Sequence, residues 1–106
     1  MADILATLER IIAERRGADP ASSYVARLFA AGRPKIAQKV GEEAVETVIA
    51  ALSDDAKALV SESADLIFHL AVLLAEQGLS LSDVMNELER REGISGIAEK
   101  AARTAS

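Results

Sequence analysis

ALVSESADLIFHLAVLLAEQG, residues 58–78, decides which fold this chain can form. It contains no proline, and its one glycine, Gly78, stands at the end, where a helix stops. The second half, from Leu66 to Ala75, is apolar almost all round and is broken only by His69. A helix that is hydrophobic on every face must be covered on every face. A chain of 106 residues has few helices with which to do so. The stretch therefore predicts a core helix, in an all-α protein expected to be a helical bundle of about five helices with a four-helix-bundle-like core. It also predicts that the core is completed by a second copy, in a homodimer or a higher homo-oligomer. The apolar run from Leu66 to Ala75 is half the roughly 20 residues a membrane helix needs, so it reads as core and no membrane partner is expected.

Outward from this helix, SDDAK is a polar break with Ser53 or Asp54 as the expected cap. Before it, Ile36, Val40, Ala44 and Val48, with Ala51 and Leu52, recur at helical spacing from Pro34 to about Leu52. SSYVARLFAAG predicts a short helix capped by Ser22 or Ser23 and ended by Gly32, with Val25, Leu28 and Phe29 on one side. From Asp3 to Arg16, Ile4, Leu5, Leu8, Ile11 and Ile12 mark a first helix that Gly17 and Pro20 stop. Downstream, Ser80 and Asp83 have capping-box spacing, with Val84, Leu88 and Met85 expected on the core side. The segment after about residue 94 predicts a short helix or a weakly ordered tail. Residues 1–106 form one domain on this reading.

Half of the residues are hydrophobic but only 3% are aromatic, so the apolar content is that of packed helices. The absence of Cys removes disulfides, zinc thiolates and cysteine nucleophiles. A formal net charge of −5 argues against nucleic acid as a partner, because phosphate neutralisation needs clustered Lys and Arg. The N-terminal stretch alternates charged and apolar residues and lacks the layout of a secretory signal, so a cytoplasmic location is expected.

KVGEEAVETV, residues 39–48, gathers Glu42, Glu43 and Glu46 within one and a half turns. The next helix carries Glu62 and Asp65, three apart and on one face. If the chain reverses near Asp54, Glu43 and Glu46 oppose Glu62 and Asp65. In a partly buried site with an effective dielectric of about 20, two negative charges about 4 Å apart repel by roughly 4 kcal/mol. A proton or a divalent cation must relieve such a cluster. Oxygen ligands without Cys or a His cluster suit Mg²⁺ or Mn²⁺. A single ExxE in a chain with 17 acidic residues usually marks a solvated face. EExxE followed by ExxD at the edge of an apolar run is more specific.

Lys35 and Lys39 precede the glutamates on the same helix. Their bland reading is intrahelical pairing, Lys39 with Glu43; beside a metal they would take phosphate oxygens. His69 follows Asp65 by four residues, on the same stripe, as a core histidine or as a group orienting substrate or a carboxylate. The ExxH spacing of a di-iron carboxylate bundle is absent.

KIAQKVGEEAVETVIAA, SESADLIFHLAVLL and GLSLSDVMNELERREGISG, preceded by SYVARLFAAG, resemble the phosphoribosyl-ATP pyrophosphohydrolase family, within the MazG-type all-α nucleoside triphosphate pyrophosphohydrolases. The resemblance implies Mg²⁺-dependent hydrolysis of phosphoribosyl-ATP, a nucleotide, to phosphoribosyl-AMP and pyrophosphate in histidine biosynthesis, in the stand-alone form of the enzyme. It implies Glu43, Glu46, Glu62 and Asp65 as metal ligands, with Glu42 as an extra ligand or a water-orienting group. Catalysis of this kind is mostly positioning and charge neutralisation. Glu42 or Glu46 is the candidate catalytic carboxylate; Lys35, Lys39, Arg27 and Arg33 are the phosphate-binding candidates, with Arg90 or Arg91 for the ribose phosphate. Two other readings stand beside this one: a housecleaning enzyme acting on noncanonical or deoxynucleoside triphosphates, and a non-catalytic acidic bundle.

Overall fold

Five helices appear in the expected order in the computed structural model, which describes residues 3–92. They are α1 (Ile4–Arg15), α2 (Tyr24–Ala31), α3 (Arg33–Leu52), α4 (Ala56–Glu76) and α5 (Leu81–Arg90), and the described residues contain no strand. The tail expected beyond residue 94 lies outside the described residues.

Short polar side chains start four of the five described helices by satisfying the first unpaired backbone N–H groups, and α3 alone starts without one. The Asp3 carboxylate accepts from the amides of Leu5 and Ala6, and Ser23, rather than Ser22, accepts from Ala26. At α5 the capping box is complete: Ser80 Oγ accepts from the Asp83 amide and Asp83 accepts from the Ser80 amide. The α3–α4 turn differs from expectation. Asp54 has φ +55°, a left-handed conformation unsuited to a cap, and the Ser53 hydroxyl donates to the Ile49 carbonyl. Asp55 is the cap, its carboxylate accepting from the Ala58 amide at 3.0 Å.

Gly32 alone joins α2 to α3. Its amide donates to the Leu28 carbonyl, and Pro34 stands in the first turn of α3. Gly32 has φ +94° and ψ 172°, a region essentially closed to residues with a Cβ. This sharp corner sets Arg27, the one cation of α2, beside those of early α3.

The main buried core cluster is Ile12, Val25, Leu28, Ile36, Ala71, Val72 and Leu81, with Leu5, Leu8, Phe29, Phe68, Leu73 and Leu74 packed against it. It lies at one end of the α3–α4 hairpin, where α1 and α2 cover the apolar second half of α4. Along α3 the expected inward pattern stops early. Ile36 is buried and Val40 and Ala44 are half-buried, but Val48 is 58% and Leu52 83% exposed, while Ala50 is buried. Helix α1 and helix α2 do not extend to that end, so its apolar side chains have no cover among the described residues. In α5, Val84 is half-buried, whereas Met85 and Leu88 are exposed. Helix α4 is long and apolar enough by length and composition alone to cross a membrane, yet it carries Glu62 and Asp65 and is the helix against which α1, α2 and α3 all pack.

Substituting Gly32→Ala tests the corner. A Cβ there meets only Pro34 Cδ at an ordinary 3.9 Å, so the cost is backbone strain. Denaturant unfolding is expected to show a loss of about 1–3 kcal/mol; no loss would mean that the corner relaxes freely.

Candidate active site

The α3–α4 hairpin is the scaffold of the site. A reversal of only three residues, Ser53 to Asp55, sets the middle of α3 against the first half of α4. Glu43 faces the partner helix and is 7% exposed. Glu62 and Asp65, one turn apart, meet it, and one carboxylate oxygen from each of the three lies within 4.8 Å of the others. Glu46 touches Glu62 from the neighbouring turn of α3 and lines with it a cleft of about 290 Å³. The expected convergence of four carboxylates therefore takes the form of a close triad with Glu46 against its Glu62 side.

Buried polar atoms ordinarily find partners. In this cluster Glu43 Oε2 and Glu62 Oε2 are buried without one. Two carboxylates in contact share a hydrogen bond only when one is protonated, and this is the physical origin of the shift at Glu62. Contact with Glu46, then burial, then Glu43 push its pKa from 4.5 up to about 7. An all-oxygen triad with two unpartnered buried oxygens fits a hard dication, Mg²⁺ or Mn²⁺.

Glu42 points elsewhere. It accepts from Gln38 Nε2 at 2.9 Å and from Lys39 Nζ at 3.3 Å. Gln38 first, and then Lys39, lower its pKa, and the bond from Glu42 raises that of Lys39. Lys39 thus pairs chiefly with Glu42, and its distance to Glu43 Oε1 is 4.0 Å. With Tyr24, Arg27, Leu28, Ala31 and Lys35, these two residues line a groove of about 460 Å³. Lys39 joins this groove to the carboxylate triad.

Three expected phosphate ligands, Arg27, Lys35 and Lys39, share that groove; Arg33 does not. It is bound to Glu76 on α4 at 2.8 Å, which ties the start of α3 to the end of α4. Arg90 and Arg91 both hold Glu87, and Arg90 foremost keeps the Glu87 carboxyl down at about 2. His69 is buried and its ring nitrogens bond elsewhere than to the triad carboxylates: Nδ1 lies 2.7 Å from the Asp65 backbone carbonyl and Nε2 2.8 Å from the Tyr24 hydroxyl. Tyr24 carries no signal in sequence beyond being the chain's one tyrosine, next to a helix cap.

A profile of the phosphoribosyl-ATP pyrophosphohydrolase family matches residues 5–92. The chain belongs to this family. It is similar to proteins named phosphoribosyl-ATP pyrophosphatase: 64% identical over 103 residues to that of Rhizorhabdus wittichii, covering 97% of each chain. The protein of Zymomonas mobilis is 65% identical over 104 residues, 98% of this chain and 97% of that one. The protein of Dinoroseobacter shibae is 56% identical over 100 residues, 94% of this chain and 98% of that one. Within the phosphoribosyl-ATP pyrophosphohydrolases, carboxylates and cations arranged in this way suit a substrate that is itself polyanionic.

The raised pKa of Glu62 has a sign. A carboxyl whose pKa is raised on folding contributes stability that is complete below its ordinary value of 4.5 and is lost as the pH climbs through about 7. In chelator at pH 7.5, Glu62→Gln is therefore expected to raise the denaturation midpoint above wild type, because the amide removes a repelled charge and supplies a donor. At pH 4.5 the gain should vanish. A Gln variant less stable than wild type at pH 7.5 would contradict this account of the cluster.

Proposed function

We infer that the protein hydrolyses phosphoribosyl-ATP to phosphoribosyl-AMP and pyrophosphate, with Mg²⁺, as a step of histidine biosynthesis. Family membership supports the reaction. The observation that carries the site is the triad of Glu43, Glu62 and Asp65, within 4.8 Å of one another and adjoining a groove lined by three cations. The donor set fits Mg²⁺ or Mn²⁺, held by Glu43, Glu62 and Asp65, with Glu46 alongside. When bound, the ion neutralises phosphate oxygens and the charge that develops as the anhydride breaks.

The chain's own residues do the rest. Arg27, Lys35 and Lys39 bind the remaining phosphate oxygens as charge-assisted donors. Glu42, itself held by Gln38, keeps the Lys39 ammonium directed at the junction of groove and triad. Glu46 touches Glu62 from outside the triad and lines the cleft of about 290 Å³, so its carboxylate is the group that orients water and accepts its proton. The water oxygen becomes bonded to phosphorus, the bridging P–O bond breaks, and pyrophosphate leaves. No covalent intermediate is required. In this reading Glu42 supports catalysis through Lys39, and Glu46 faces the water.

The test is pyrophosphate release from phosphoribosyl-ATP, with and without Mg²⁺, against a panel of noncanonical and deoxynucleoside triphosphates. Turnover confined to the panel would favour the housecleaning reading. Asp65→Asn and Glu46→Gln are each expected to lower kcat by roughly a hundredfold or more with the helical fold retained. Near-wild-type turnover in either variant would remove that residue from its role.

We also infer a homodimer built on the uncovered end of the hairpin. Val45, Val48, Ile49 and Leu52 form one stripe of α3, at i, i+3, i+4 and i+7, and Val60 and Ile67 continue it on α4; all six are exposed. Ile49 of this stripe lines the same cleft as Glu46 and Glu62, so a second copy docked there borders the carboxylates. Val48→Asp should convert a dimer to a monomer in light scattering coupled to size exclusion. A wild type that is monomeric at every concentration would refute the dimer.

A further inference from the structure

Tyr24 has two different surroundings. Its ring stacks on Phe68, with centroids 6.0 Å apart and 23° between planes, and the Arg27 guanidinium lies 5.7 Å over it. The residue is 40% exposed, on the wall of the cation-lined groove. Its hydroxyl, however, reaches inward to His69 Nε2 at 2.8 Å. His69 is 5% exposed, and its Nδ1 lies 2.7 Å from the Asp65 carbonyl oxygen.

The direction of this chain of bonds follows from its buried end. A carbonyl oxygen only accepts, so Nδ1 carries the ring proton; in the neutral ring Nε2 must then accept, and the Tyr24 hydroxyl donates to it. Tautomer and hydroxyl orientation are thus assigned from the network. The phenol has used its one proton on the protein interior, and it turns only lone pairs toward the groove. Of the cations around it, Lys39 donates to Glu42 at 3.3 Å and Arg27 lies over the ring face, and neither of them nor Lys35 donates a hydrogen bond to the hydroxyl. Phosphate oxygens are acceptors and do not match this atom. The donors closest to a phosphate in any nucleotide are the hydroxyls of the sugar that bears it.

We propose that Tyr24, its hydroxyl orientation fixed by His69 and the Asp65 carbonyl, accepts a hydrogen bond from a sugar hydroxyl of the substrate, beside the phosphates held by Arg27, Lys35 and Lys39. The proposal rests on the reading of this groove as the phosphate subsite of phosphoribosyl-ATP. Tyr24 is a binding residue on this account, and His69 is a positioning residue that acts through it. One buried histidine therefore decides whether the groove presents an acceptor or a donor.

His69 is the only histidine, so ¹⁵N-histidine labelling reports on it without ambiguity. The wild type is expected to show the Nδ1–H tautomer; a dominant Nε2–H form overturns the proposal. Tyr24→Phe should raise KM by roughly threefold to tenfold, the worth of one neutral hydrogen bond. Its kcat should stay within about twofold, the pattern of lost uniform binding. His69→Gln, whose amide oxygen still accepts the tyrosine proton, should keep the wild-type KM, and His69→Leu should raise it as Tyr24→Phe does. An unchanged KM in Tyr24→Phe or in His69→Leu overturns the proposal. If Tyr24→Phe loses its helical circular dichroism, the two His69 variants decide. A wild type that does not turn over phosphoribosyl-ATP counts against the proposed function, and ADP binding then decides this proposal: Tyr24→Phe weakens it if Tyr24 receives a sugar hydroxyl and leaves it unchanged if not.

Discussion

Repulsion between carboxylates across the α3–α4 hairpin is the constraint on which the rest of the structure depends. Helix packing brings Glu43 against Glu62 and Asp65 and leaves two of their oxygens buried without a donor. Without a proton or a cation this arrangement opposes folding, and the upward shift of Glu62 to about 7, caused first by contact with Glu46, then by burial and by Glu43, expresses that opposition. The fold offsets it with an apolar core at the other end of α4, where Ile12, Ile36 and Val72 are fully buried. Stability and chemistry thus occupy different halves of the same pair of helices.

Charge is also sorted by helix. Helix α2 and the first two turns of α3 bring Arg27, Lys35 and Lys39 to one groove, and the next turns of α3 turn to carboxylates. Gly32 makes this possible, because a one-residue corner keeps α2 beside early α3. On the proposed function, a polyanionic nucleotide would meet these cations first and the carboxylate triad immediately beyond them. The net charge of the whole chain, −5, gives no hint of this local exception.

Helix existence and order were legible in the sequence because the apolar spacing and the capping residues agree with each other. Ser23, Ser80 and Asp83 act where their positions indicated. The carboxylate set was legible because spacing of three along a helix defines a face. The meeting of Glu43 with Glu62 and Asp65 follows from a reversal near Asp54, but other properties set by contacts between helices were not legible. The pattern Val48 and Leu52 reads as core, yet the covering helices end short of it. Arg33 resembles the other cations of its helix until Glu76, 43 residues away, takes it. Glu42 and Glu43 are adjacent in sequence but 100° apart around a helix, so one faces the groove and the other the triad. The Tyr24 hydroxyl finds its partner in His69, 45 residues distant.

On the proposed function, the triad binds a hard dication in competition with a proton. Calorimetric titration of Mg²⁺ into chelator-treated protein, repeated in buffers of different ionisation enthalpy, measures both partners of that competition at once. Below the Glu62 value of about 7, at pH 6, binding should release a proton; at pH 8.5 it should be tighter and release almost none. Absence of binding at millimolar Mg²⁺ and Mn²⁺ at both pH values, or binding at pH 6 without proton release, would contradict the account.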